Sequence, residues 1–183
     1  MLMQILAFLL QTVFFMLIAA ALLRAWMNWL RINMRGQPGI FVMALTDWIV
    51  QPLRRVLPKA VAQSRVDWAS VIAAVLLALV YTILWGLLLG ALLSVFSGTA
   101  VVTLLGFALR MLIRVVLQMA FVLVIGYVIL SWVQPGSPVY GLLARLTEPL
   151  LAPLRRVIPT IGGVDLSALV LLLLLQIGLM LLG

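Results

Sequence analysis

Cysteine and histidine are both absent from the 183 residues, and only four side chains are acidic. Without cysteine there can be no disulfide, thiolate metal site or thiol redox switch. Without histidine the commonest general base and metal ligand is gone, and a haem would be left with axial ligands such as methionine. General acid–base chemistry needs two carboxylates flanking one site, and nothing in the placing of these four argues for that. A Gly-x-Ser-x-Gly nucleophile turn is missing too. These absences exclude the usual enzyme classes and leave no metal or cofactor to expect. Charge is scarce as well: 9% of residues are charged, 67% are apolar and the mean hydropathy is +1.34. Such a chain cannot stay soluble alone, and its core must form against lipid.

The charge that is present has one sign. Eleven arginines and one lysine stand against four acids, a net charge of +8. In a membrane protein that excess marks loops facing the cytoplasm and anionic lipid, and no nucleic-acid partner is expected. Residues 2–23 carry no charge, enough for a span of about 20 residues. No basic side chain precedes this stretch, while Arg24, Arg31 and Arg35 follow it. It therefore reads as a membrane helix with its N-terminus outside, not as a cleavable signal. Residues 68–109 are uncharged and too many for one span, with Ser97-Gly98-Thr99 as the natural turn.

The expected fold is all-α: a four-helix polytopic membrane protein. Its helices fall at about 2–30, 68–96, 104–133 and 166–182, joined by basic loops at 31–67 and 134–165. The first loop holds Arg31, Arg35, Arg54, Arg55, Lys59 and Arg65, and the second holds Arg145, Arg155 and Arg156. Positive-inside bias then places both loops in the cytoplasm and both termini in the periplasm of a bacterial inner membrane. Trp26, Trp29, Trp68 and Trp132 fall at the inner interface on this topology.

An internal repeat organises the chain. Thr46-Asp47-Trp48-Ile49-Val50-Gln51-Pro52-Leu53-Arg54-Arg55-Val56-Leu57-Pro58 recurs as Thr147-Glu148-Pro149-Leu150-Leu151-Ala152-Pro153-Leu154-Arg155-Arg156-Val157-Ile158-Pro159. Asp67 matches Asp165, and Asn28-Trp29 matches Ser131-Trp132, so all four acids occupy repeated positions. The two repeats, 1–96 and 100–183, each contain two spans and insert with the same orientation. They form two parallel helix–amphipathic loop–helix units, which disfavours an inverted-repeat carrier.

The doubled motif, a tryptophan-ended helix followed by T-x-x-[IL]-x-x-P-[LI]-R-R-x-[LIV]-P and an Asp opening the next helix, resembles the YggT/YlmG family across essentially the whole chain. Two departures are visible: Trp48 stands where the second copy has Pro149, and Tyr127 takes the place corresponding to Arg24. The resemblance implies a bacterial inner-membrane protein of four helices without established catalytic activity. It also implies relatives linked to haem attachment on a b-type cytochrome, to cell division and to osmotic stress.

Several constellations could carry function. Residues 40–50 and 139–151 read as short interfacial helices. Thr46 and Thr147 are expected to cap a helical turn with Asp47 or Glu148 at its positive end. Pro52 and Pro153 are expected to break the preceding helix and aim Arg54, Arg55, Arg155 and Arg156 outward, at anionic headgroups or a protein partner. Lipid anchoring and a specific acidic partner weigh about equally. Asp67 and Asp165 are expected to N-cap their helices, an ion pair with a nearby arginine being compatible. Ser70, Ala74, Ala78, Thr82, Gly86, Gly90, Ser94 and Gly98 form a small-residue stripe at spacing four, expected to pack helices. Gly106, Arg110, Arg114 and Gln118 form a companion stripe in the outer half of the membrane, read as snorkelling guanidiniums, with a bound anion as the sharper alternative. The function expected is a non-enzymatic assembly or scaffold protein that binds lipid or a protein partner and is open to self-association. The alternative is a component of an ion or osmolyte transport system or channel, for which Gln11, Thr82, Gln118 and Gln176 offer thin mid-membrane polarity.

Overall fold

The computed structural model describes residues 1–57, 66–88, 99–158 and 165–182, with the side chains of 99 and 100 left aside. Among these residues all regular structure is helical. The order is α1 (Leu2–Trp29), α2 (Gly39–Val56), α3 (Trp68–Leu88), α4 (Thr99–Val133), α5 (Pro138–Arg155) and α6 (Leu166–Leu182). Three helices, Leu2–Trp29, Trp68–Leu88 and Val101–Val133, are long and apolar enough to cross a membrane, while the uncharged α6 has 17 residues. Exposed Leu, Ile, Val, Met and Phe side chains run along their outer faces, which is what lipid as solvent requires.

The chain divides into two compact units, Met1–Val115 and Val116–Gly183. In the first, α3 packs on α1 along its small residues. Ser70, Ala74, Ala78 and Thr82 are buried, and Gly86 is half-buried. Ala74 and Ala78 meet Ile18 and Ala21 of α1 and Ala108, Met111 and Val115 of α4. Side chains this short let backbones approach closely, so van der Waals contact replaces a hydrophobic drive that lipid cannot supply. Gly90 and Ser94, at the far end of the stripe, lie outside the described residues.

The helix α2 is amphipathic and lies against both α1 and α3. Gly39, Val42, Thr46 and Val50 form its buried stripe, and Val50 packs on Ala69 and Ala73 of α3. Ile40, Phe41, Trp48 and Val56 are exposed. In the second unit α5 is placed in the same manner. Its Leu151 packs with Val124 of α4 and Ala168 of α6, and Leu143 lies close to Gly126.

The prolines do not act as breaks. The α2 helix runs through Pro52 to Val56, and α5 runs through Pro149 and Pro153 to Arg155. Pro52 and Pro153 are exposed and near the helix ends. Each removes one backbone donor there, while the opposite face stays held by packing.

Candidate functional site

Each unit contains one cluster of ion pairs at the place where its amphipathic helix meets its neighbours. In the first unit Arg24, near the end of α1, is 4% exposed. Its Nη1 donates to Thr46 Oγ1 at 2.8 Å and to Asp47 Oδ1 at 2.7 Å, both on α2. Its Nε lies 3.9 Å from Asp67 Oδ2. Asp67, just before α3, is buried and also accepts from Arg54 Nη2 at 2.5 Å and from Ser70 Oγ at 2.9 Å. Thr46 donates in turn to Val42 O at 2.7 Å. Three helices are thus tied by two guanidiniums and two carboxylates, a balanced set.

In the second unit Arg155 does the work of two residues. Its Nη1 donates to Glu148 at 2.7 Å, while Nε and Nη2 donate to Asp165 Oδ2 at 3.0 and 2.7 Å. Nη2 also donates to the Tyr127 hydroxyl at 3.0 Å, and the guanidinium carbon lies 5.9 Å from that ring's centroid. Tyr127 stacks on Tyr140 with centroids 5.5 Å apart. Ser167 donates both its backbone N–H, at 3.1 Å, and its hydroxyl to Asp165 Oδ1. Burial tends to raise the Asp165 carboxyl. The bonds from Ser167 and Arg155, with the arginine's charge, overcome this and hold it below the ordinary carboxylate value. Burial likewise works against the charged Arg155, but Asp165, Tyr127 and Glu148 raise it overall.

The expected roles of several residues change. Thr46 and Thr147 do not cap: they sit in helix interiors, where the Thr147 hydroxyl donates to Leu143 O at 2.8 Å. The cap of α5 is Ser137, which accepts from the Tyr140 N–H at 3.1 Å. Asp47 and Glu148 are likewise ion-pair partners, not charges at a helix start. The reason is that both amphipathic helices begin well before the motif, at Gly39 and Pro138. Arg54, itself exposed, and the half-buried Arg155 reach acids, whereas Arg55 and Arg156 are exposed and stand outside the described ion pairs. Asp165 accepts a backbone bond of the cap type as well as its arginine. The Asp67 carboxylate faces Arg54 and Ser70. Pro58 and Pro159 lie outside the described residues.

Arg110 is exposed, and Arg114 and Gln118 are half-buried on α4. Arg24 is the anchor that attention to the repeated motif passes over. The sequence signal for it is a lone charge inside an apolar helix, 22 residues before Thr46. Among the described residues no three carboxylates converge as metal ligands would. The first cluster is balanced in charge and the second sets one guanidinium against two carboxylates. Their role is positional, since they fix α2 and α5 and leave one arginine of each pair outside the described ion pairs.

Comparison with known proteins agrees with this doubled plan. The sequence pattern of the CCB3/YggT family matches residues 3–88 and again 106–183. The protein YggT of Escherichia coli (strain K12) is 34% identical over 176 residues, covering 96% of this chain and 87% of that one. A protein from the proC 3' region of Vibrio alginolyticus is 35% identical over 182 residues, covering 99% and 95%. No solved structure matches.

Proposed function

Because the chain belongs to the CCB3/YggT family, we propose that it is a non-enzymatic scaffold or assembly protein of the bacterial inner membrane. In this reading α6 is a fourth span, both termini are periplasmic, and α2 and α5 lie along the cytoplasmic surface. There they engage anionic headgroups or an acidic protein partner through Arg55 and Arg156.

The observation that carries the proposal is the division of labour within each arginine pair. Arg54 and Arg155 are consumed by Asp67 and Asp165, so they hold the helix in place. Arg55 and Arg156 follow them in sequence and are exposed. Arg55 shares α2 with exposed Ile40, Phe41 and Trp48. An apolar face carrying an outward cation suits a helix lying in the interface. Planar guanidinium also suits a carboxylate or phosphate taken by two parallel donors, which lysine cannot reproduce.

The test is a set of Arg55 and Arg156 variants of the full-length protein, made singly and together. Crosslinking in cells and binding to anionic vesicles are read side by side. Gln at both positions should lower both signals with the protein still inserted. Lys at both should keep vesicle binding and lose a specific crosslinked partner. Unchanged crosslinking and vesicle binding in the double Gln variant would remove the proposal.

A further inference from the structure

We propose that Arg110 and Arg114 bind the phosphate of an anionic phospholipid in the leaflet opposite the Pro-Leu-Arg-Arg segment at the end of α2. The two arginines are one helical turn apart on α4 and so share a face. Every carboxylate side chain of the chain is already engaged elsewhere: Asp47 and Asp67 with Arg24 and Arg54, Glu148 and Asp165 with Arg155. No acid of this protein is left to answer these two cations, and two like charges on adjacent turns repel.

Their depth identifies what can answer them. From Trp132 up to Arg114, α4 is continuous for eighteen residues, about 27 Å at ~1.5 Å per residue. The hydrocarbon core is about 30 Å thick. Inside the first unit the neighbours agree. Tyr81 packs on the cluster that holds Met111 and Val115, either side of Arg114, and it lies thirteen residues along α3 from Trp68 and so about 20 Å above it. Tyr81 in turn packs on Phe14 and stacks on Trp85. Arg114 therefore sits near the far edge of the hydrocarbon, with Arg110 one turn further, at headgroup level.

The site has room and walls. Arg110 is exposed, and a side chain added at Gly106, one turn above it, would meet nothing within 4 Å. Phe107, Leu109 and Ile113 are exposed apolar neighbours on the same helix, which suits acyl chains and favours a lipid over a freely soluble anion. Two guanidiniums favour a headgroup with net negative charge. A zwitterionic headgroup would bring an ammonium into the same positive field.

The experiment places p-benzoylphenylalanine at Gly106 of the full-length protein. The protein is reconstituted in vesicles of equal phosphatidylglycerol and phosphatidylethanolamine, irradiated, and its lipid adducts are weighed by mass spectrometry. With one surface charge favouring an anionic lipid about fivefold, phosphatidylglycerol adducts should exceed phosphatidylethanolamine adducts by about fivefold or more. Arg110→Gln, at an exposed position, should reduce that ratio severalfold, and adding Arg114→Gln should bring it to one. A ratio of one in the protein with both arginines would overturn the proposal. So would loss of the preference on adding millimolar inorganic phosphate, which would assign the site to the soluble ion. Arg55 and Arg156 lie at the opposite interface on the reading above, so failure here leaves that proposal standing, and the converse holds.

Discussion

Arg24 is a buried residue whose guanidinium is held by Thr46, Asp47 and Asp67. Removing one member of a buried pair leaves the other charged and unpaired, which costs about 3–5 kcal/mol. Arg24→Gln should therefore lower thermal stability in detergent by about 3 kcal/mol. Arg55→Gln and Arg156→Gln, at exposed positions, should stay within about 0.5 kcal/mol, so equal melting of the three variants would contradict the cluster's role. Asp165 adds a pH dependence. Its folded carboxyl lies below the unfolded value of about 3.9. The unfolded chain thus binds more protons near that value, and the stabilisation is present above it. It is lost as pH falls through the folded value. Asp165→Asn should be less stable than the parent at pH 6, with the gap closing under acid. A gap independent of pH would mean that the carboxylate's charge is irrelevant.

At the scale of the element, α2 is seated by its first residue. A Cβ on Gly39 would meet the Met34 backbone at 2.6 Å, whereas one on Gly36 would meet nothing within 4 Å. Backbone cannot rotate away as a side-chain tip can, so Gly39→Ala should displace the start of α2 and cost about 1–3 kcal/mol. Gly36→Ala should be near neutral. Protease sensitivity of the segment between α1 and α2 separates the two: it should rise only in the first variant. The small-residue face of α3 answers to the same logic, since Ala74 is fully buried against α1 while Val75 and Leu76 beside it are exposed.

For the molecule as a whole, basic side chains crowd the two segments around the Pro-Leu-Arg-Arg motifs, and the tryptophans gather near them. On the topology proposed above, those segments lie in the cytoplasm, as positive-inside bias favours. A reporter active only in the cytoplasm, fused after Gly183, should stay silent, and one inserted after Gln37 should be active. The reverse pattern would invert the reading of Arg55 and Arg156 and move their partner to the other compartment.

The sequence alone determined the all-helical membrane character, because long uncharged runs have no other stable form in lipid. It also determined the doubled family pattern, because seven identities in a thirteen-residue segment and two matched pairs of acids survive in plain text. Periodicity revealed the small-residue stripe as well, since spacing of four maps directly onto one helix face. Only the tertiary structure separated Arg54 from Arg55 and Arg155 from Arg156. Adjacent residues on a helix point about 100° apart, and which direction meets an acid depends on how α2 and α5 lie on their neighbours. For the same reason Thr46 and Thr147 looked like caps: the motif records their chemistry, but not that the helix had already begun at Gly39 or Pro138. Arg24 and Tyr127 were legible as a mismatch between the repeats. That Arg155 gathers both Glu148 and Asp165 where Arg24 and Arg54 share Asp47 and Asp67 is decided by reach and distance, which no linear spacing encodes.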